Sequence, residues 1–281
     1  MNKKQFLGKV FFLFILIFTF SAYSQEAVKW DDETYISYFG DFNGDQVSDV
    51  LLLPLEETLA PKLVLGTEGG LKYSSVNQLI LTSHINNQTV VAELVEIVVA
   101  DYTNDGFSDL LIAFKEYNNA FLVAGSVNGL NFADPIKLYS NNELSVFDIG
   151  NFSFYAGNFN GDEYLDLLAI SDNSKHHKVF HGKEGVNFEL VQSKKNHFKW
   201  KNKAKTKVRI ADINGDGKDD IIASSRKKGI THYVSFANKK GKLKKSKKLK
   251  AKLLNKEWNS DDFGLTVNDA NGDGTLDIVK S

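Results

Sequence analysis

Five short strings concentrate the oxygen chemistry of this chain. They read DFNGDQVSD from Asp41, DYTNDGFSD from Asp101, NFNGDEYLD from Asn158, DINGDGKDD from Asp212 and DANGDGTLD from Asp269. Each carries Asp, Asn or Thr at positions 1, 3, 5 and 9. A hard cation such as Ca2+ takes six to eight oxygens at about 2.3–2.6 Å. A nine-residue loop can aim those four side chains, and the carbonyl of position 7, at one point. Glycine at positions 4 and 6 lets the backbone take positive φ where it wraps the ion.

The five candidate ligand sets are unequal. The fifth (Asp269, Asn271, Asp273, Asp277 and the carbonyl of Thr275) and the fourth (Asp212, Asn214, Asp216, Asp220 and the carbonyl of Lys218) match the pattern best. The first (Asp41, Asn43, Asp45, Asp49 and the carbonyl of Val47) keeps three carboxylates but has Gln46 where glycine is preferred. The second (Asp101, Asp105, Asp109 and the carbonyl of Phe107) has Thr103 at a ligand position. Its Asn104 replaces a glycine, and Asn tolerates left-handed geometry better than most residues. The third (Asn158, Asn160, Asp162, Asp166 and the carbonyl of Tyr164) holds two carboxylates, with Glu163 at position 6, and is expected to bind weakly or not at all. The competing reading is an Asx turn without metal. Such turns need no third or fourth carboxylate, and unpaired carboxylates in one turn repel one another. The expectation is two to five structural Ca2+ ions.

The elements that position these loops repeat with them. Successive strings start 60, 57, 54 and 57 residues apart. Apolar stretches precede them (TYISYFG, VEIVVA, FSFYAG, KVRIA, GLTVN), and short runs rich in Leu and Ile follow (VLLLPL, LLIAF, LLAI, IIAS, IV). Runs of that length bounded by turn residues suit strands buried on both faces. A third signal comes further on: LVLGTEGGLKY from Leu63, FLVAGSVNGLNF from Phe121, KVFHGKEGVNF from Lys178 and HYVSFANKKGKL from His232. Each reads as a strand, then a turn rich in Gly, Asn or charge, then the start of another strand. Four antiparallel strands per repeat, arrayed radially, make the blades of a propeller. The expectation is an all-β propeller of about five blades, the last incomplete after two strands.

The D-x-N-G-D-G-x-x-D loop, its apolar strand and the Gly-rich hairpin resemble FG-GAP (VCBS) repeats, including the calcium-loop blades of integrin-type propellers. The resemblance covers nearly all of residues 34–281. It implies adhesion or recognition of a protein or glycan. It leaves as alternatives a propeller-type polysaccharide lyase or hydrolase, or a structural segment of a larger surface or toxin-like assembly.

Composition narrows the setting. Lys3, Lys4 and Lys9 precede an apolar run, VFFLFILIFTF, and then the small residues Ser21, Ala22 and Ser24. That order is expected of a cleavable signal peptide over residues 1–24, cut near Ser24, with the domain over 25–281. The run is too short for a bilayer span, which needs roughly 20 residues. No transmembrane segment is expected after cleavage, and the chain is expected outside the cell or in the periplasm. There is no cysteine, so metal staples or a large core must replace disulfides.

Charge is sharply divided. Residues 25–174 carry five lysines against 23 acidic residues, and residues 175–256 carry 25 basic against six acidic ones. The Lys-rich region 194–252, with Phe198 and Trp200 among its lysines, reads either as a polyanion contact or as edge-strand protection. His176, His177 and His181 cluster in sequence, as solvated loop histidines or a transition-metal site. No nucleophile elbow, P-loop or dinucleotide fingerprint occurs, which favours binding over catalysis.

Overall fold

The computed structural model describes residues 34–71, 78–117, 119–138, 152–171, 176–195, 206–226, 230–248, 265–268 and 277–280. The expected signal peptide over residues 1–24, residues 25–33, Phe198, Trp200 and most of the fifth loop lie outside them.

Four antiparallel sheets of four strands follow one another along the chain. The first blade comprises β1 (Tyr35–Gly40), β2 (Asp49–Pro54), β3 (Lys62–Val64) and β4 (Gln78–Ile80). A two-stranded hairpin, β5 (His84–Ile85) and β6 (Gln88–Thr89), follows it and has no counterpart in the expected repeat. The second blade comprises β7 (Val95–Ala100), β8 (Asp109–Phe114), β9 (Asn119–Val123) and β10 (Ile136–Lys137). The third comprises β11 (Phe152–Gly157), β12 (Asp166–Ser171), β13 (His176–Lys183) and β14 (Asn187–Lys195). The fourth comprises β15 (Thr206–Ala211), β16 (Asp220–Arg226), β17 (Ile230–Ser235) and β18 (Lys247–Lys248). A two-stranded sheet closes the described chain, β19 (Leu265–Asn268) with β20 (Asp277–Lys280).

First strands touch first strands: β1 meets β7, β7 meets β11, β11 meets β15, and β15 meets β19. They therefore line the axis of the propeller. The first hairpin of every unit has one register, ending on Gly40↔Asp49, Ala100↔Asp109, Gly157↔Asp166, Ala211↔Asp220 and Asn268↔Asp277. Neighbouring blades crowd this closing position. A Cβ at Gly40 would lie 2.9 Å from Val99 Cγ1, and one at Gly157 would lie 2.6 Å from Ile210 Cγ2.

The core lies between blades. Successive side chains of a strand point to opposite faces, so each second strand feeds two layers. On β8, Leu110, Ile112 and Phe114 pack with Leu51, Leu53 and Leu63 of the first blade. Leu111 and Ala113 pack with Phe154, Leu167 and Phe180 of the third. On β12, Leu168 and Ile170 turn to Val208, Ile221 and Ala223 of the fourth blade. Each of the Leu, Ile, Val and Phe side chains among them contributes roughly 1.5–3 kcal/mol on burial. This accounts for the apolar runs after each acidic string.

The fourth strands correct the sequence reading. Only β14 begins directly after its turn; β4, β10 and β18 are two or three residues long and start later. The residues after the turn are used for packing instead. Leu130 and Phe132 are buried in the layer between the first and second blades. Leu243 is buried between the third and fourth. Among the described residues, no helix is long and apolar enough to cross a membrane.

Candidate functional site

The aspartate loops join the first and second strands of each blade, and each is built on two networks. The inner network belongs to position 9. Asp49, Asp109, Asp166 and Asp220 are fully buried. One carboxylate oxygen of each accepts the backbone N–H of position 2: from Phe42 at 2.9 Å, Tyr102 at 2.8 Å, Phe159 at 2.8 Å and Ile213 at 3.3 Å. The other accepts an N–H from the end of the third strand or just past it: from Gly66 at 2.7 Å, Gly125 at 2.8 Å, Gly182 at 2.9 Å and Ala237 at 2.8 Å. One side chain thus ties the first, second and third strands of its blade. Burial pushes all four carboxyls up against the pull of those N–H donors, Asp166 to about 7 and Asp220 to about 6. For Asp49 the negative fields of Asp45 and Asp41 add to that rise.

The outer network is exposed and turns inward on the loop backbone. Asp41 accepts N–H bonds from Gly44 at 2.7 Å, Asp45 at 3.1 Å and Gln46 at 2.8 Å. Asp212 does the same with Gly215 at 2.8 Å, Asp216 at 3.2 Å and Gly217 at 2.7 Å. Asp101 accepts from Asp105 and Gly106. Position 5 caps the N–H of position 7 in all four loops, as Asp45, Asp105, Asp162 and Asp216 accept from Val47, Phe107, Tyr164 and Lys218. The backbone obeys the glycine expectation. Gly44, Gln46, Asn104, Gly106, Gly161, Gly215 and Gly217 all have positive φ, and Glu163 of the third loop does not.

The loops differ as cation hosts. A carboxylate offers about four lone-pair directions. Asp49 has two occupied. Asp109 accepts four bonds, from Tyr102, Gly125 and the N–H and hydroxyl of Thr103. Amide N–H groups also bond the loop carboxylates: Asn43 Nδ2 donates to Asp45 Oδ2 at 2.9 Å, Asn160 Nδ2 to Asp162 Oδ2 at 2.6 Å and Asn214 Nδ2 to Asp220 Oδ2 at 2.9 Å, and in the third loop Asn158 Nδ2 donates to the Asp162 carbonyl as well. Among the described residues no three Asp, Glu or His side chains converge as a metal-holding group. His176, His177 and His181 on β13 do not form one either. The first and fourth loops carry the oxygen donor types that a hard cation takes, with the carboxylates of Asp41, Asp45, Asp212 and Asp216 turned onto N–H groups of their own loops. Of the fifth set, only Asp277 lies in a described strand.

Sequence reasoning missed two positions. Position 2 is an apolar plug: Phe42, Tyr102 and Phe159 each fill the layer shared with the next blade. Position 8 reaches back to the preceding loop. Ser108 receives the N–H of Asp41 on its hydroxyl at 3.1 Å and gives its own N–H to the Asp41 carbonyl at 2.7 Å. Asp219 repeats both bonds with Asn158, at 2.7 Å each. The signal was present at position 8, where Ser108 and Asp219 are polar and Leu165 is not.

Four-stranded antiparallel blades in sequence around an axis define a β-propeller. The family model for the FG-GAP-like repeat matches residues 158–223 and 212–279, so the chain carries FG-GAP-like repeats on a β-propeller. Among solved structures, it is similar to a lectin of Agrocybe aegerita that specifically recognises non-reducing terminal N-acetylglucosamine. The TM-score is 0.64 at 14% identity, over 88% of this chain and 60% of that one. The chain thus spans 60% of the length of that lectin, and the likeness is one of fold. No curated protein matches the chain.

Proposed function

We infer that this propeller works outside the cytoplasm as a calcium-stiffened recognition module, gripping a glycan or protein partner rather than transforming it. The observation that carries the reading is the repeated loop with its split roles. A buried aspartate holds each blade together, while in the first and fourth loops a second pair of carboxylates on the same turn, Asp41 with Asp45 and Asp212 with Asp216, bonds only N–H groups of its own loop, which a cation would have to displace. Asp41, Asn43, Asp45 and Asp49 would hold one ion in the first loop, and Asp212, Asn214, Asp216 and Asp220 another. Bound Ca2+ supplies charge neutralisation at turns where like charges otherwise crowd. The chain's own residues then set the geometry, through positive φ at positions 4 and 6 and the cross-loop bonds of Ser108 and Asp219. Extracellular calcium sites have dissociation constants of roughly 10⁻⁴–10⁻³ M. These loops would fill after export, and ligation would add to folding stability by mass action. The lectin fold neighbour supports a glycan partner, and the apolar run near the N-terminus supports export.

The test is a metal count with thermal unfolding in calcium and in chelator, followed by a glycan array on the calcium-loaded protein. The reading expects two to five ions per chain, a fall of several degrees on chelation and a calcium-dependent array signal. A metal-free protein with an unchanged midpoint would remove calcium from the account. A blank array would remove the glycan.

A further inference from the structure

The hairpin after β17 carries the densest charge in the described chain. Residues 237–248 read ANKKGKLKKSKK, with seven lysines and no acidic residue. Lys239, Lys240, Lys244, Lys245, Lys247 and Lys248 are exposed. Among the described residues, none of the seven reaches a carboxylate within ion-pair distance; the ion pair there is Lys183 with Glu189 at 3.4 Å.

This segment is no loose tail. Asn238 accepts the N–H groups of Lys240 at 2.8 Å and Lys242 at 3.3 Å on its side chain, and Gly241 N–H bonds the Asn238 carbonyl at 2.8 Å. The return strand is pinned by Lys244 N–H on the Phe236 carbonyl at 2.8 Å and by the Ser235 hydroxyl on the Lys244 carbonyl. The hairpin is also clamped to the third blade. The Gln192 amide on β14 takes both polar groups of Leu243, accepting its N–H at 2.8 Å and donating to its carbonyl at 3.0 Å. Buried His181 lies 3.4 Å from the Gly241 carbonyl. A side chain at Gly241 would strike that ring, since an added Cβ would come within 2.3 Å of Nε2.

The clamp aligns two lysine rows. Both β14 and the return strand run away from the aspartate loops, because each is the fourth strand of its blade. From Gln192, the third blade continues to exposed Lys194 and Lys195; from Leu243, the fourth continues through Lys244, Lys245, Lys247 and Lys248. Protection of an open sheet edge accounts for Lys247 and Lys248, which lie on β18. It does not account for Lys239–Lys245, which lie in the turn and return arm outside the paired strands. Holding like charges on a fixed backbone costs stability through repulsion, and an anionic ligand would offset that cost.

We propose that this clamped ridge of Lys194, Lys195, Lys239, Lys240, Lys244, Lys245, Lys247 and Lys248 is a binding surface for a linear polysaccharide bearing carboxylate or sulfate groups. The proposal rests on the recognition reading and gives it a face and a ligand chemistry. The residue types choose the glycan over nucleic acid. The ridge holds lysines without a single arginine, so it offers mobile point charges and not the planar fork suited to phosphate. No aromatic side chain between 236 and 248 is exposed, so bases would find no stacking platform there.

The test compares the full chain with the variant K239Q/K240Q/K244Q/K245Q, and with K137Q as a control on the second blade. Binding to immobilised polygalacturonate (carboxylate), heparin (sulfate), dextran (neutral) and a 30-base-pair DNA duplex is read in calcium and in chelator. Wild type and K137Q are expected to bind one or both acidic glycans and to ignore dextran. Their affinity should fall on the order of tenfold or more between 50 and 200 mM salt, as counterion release requires. The quadruple variant should lose at least tenfold in affinity with a melting temperature equal to or above that of wild type, since four repelling charges are gone. The two glycan arms separate carboxylate from sulfate recognition. Three results overturn the proposal: wild type binds neither acidic glycan, the variant binds as wild type does, or the duplex binds tenfold more tightly than both glycans. Failure of the calcium reading shows separately, as a midpoint insensitive to chelator while lysine-dependent binding persists.

Discussion

Removal of the Asp109 carboxylate gives the sharpest test of the division between buried and exposed aspartates. In the wild-type fold its oxygens hold the N–H groups of Tyr102 and Gly125, both buried, and of half-buried Thr103. Asp109→Ala leaves the first two without acceptors and out of reach of water. Each buried orphan costs about 1–3 kcal/mol, for a gross penalty of roughly 2–6 kcal/mol. Relief from burying a carboxylate offsets part of it, the same relief that burial expresses by raising the Asp109 pKa. A net loss of about 3 kcal/mol follows. For a chain of this size each kcal/mol moves the midpoint by roughly 2–4 °C, so the fall should be about 10 °C. Asp105→Ala, four residues earlier, removes one exposed bond to the Phe107 N–H and should cost less than about 1 kcal/mol. Both variants are melted in chelator, followed by circular dichroism, so that no metal contributes. If Asp109→Ala loses no more than Asp105→Ala, position 9 does not tie the strands and the reasoning fails.

Further outcomes follow from the same contacts. Among the described residues the buried Tyr102 hydroxyl meets no hydrogen-bond partner, and equivalent loops carry Phe42 and Phe159, so Tyr102→Phe should raise stability by about 1 kcal/mol in urea titration; a loss would reveal a hidden partner. Gln46 holds a φ of 66° that costs an L residue roughly 1–2 kcal/mol, so Gln46→Gly should raise the melting midpoint by a few degrees, and a decrease refutes the strain. Burial holds His232 below its ordinary 6.5, so the fold keeps it neutral while the unfolded chain takes a proton near that pH. Its stabilising contribution is complete above about pH 6.5 and drains away as pH falls toward the lowered folded value. His232→Gln should therefore flatten the acid limb of a urea-midpoint profile between pH 8 and 5, and an equally steep limb in the variant refutes the assignment.

What the sequence disclosed was local, and what it concealed was long-range. The spacing from Asp41 to Asp49 predicts a loop closing a hairpin, and the Gly40↔Asp49 register bears that out in every unit. Glycine at positions 4 and 6 announced left-handed turns, and Gln46 and Asn104 adopt them in its place. The second duty of Asp49 could not be read, because its partner Gly66 lies 17 residues away, across two strands and the turn between them. The late, short fourth strands were hidden for a related reason. Leu130 and Phe132 look like strand residues, and only the neighbouring blade shows that they pack into the core. The clamp of Gln192 on Leu243 spans 51 residues, and nothing in the spacing of a glutamine marks it.

Phe42 filling the layer beneath the next blade has an implication for how such chains change over generations. Because each apolar layer is shared by two adjoining units, one unit on its own has no complete interior. Duplication or loss of a segment running from one acidic turn to the next leaves every remaining layer with a matched pair of faces. A cut placed within a unit strands half a layer against water. The permitted step in the history of this architecture is therefore the entire repeat, between about 54 and 60 residues here, and its length is set by packing across the seam.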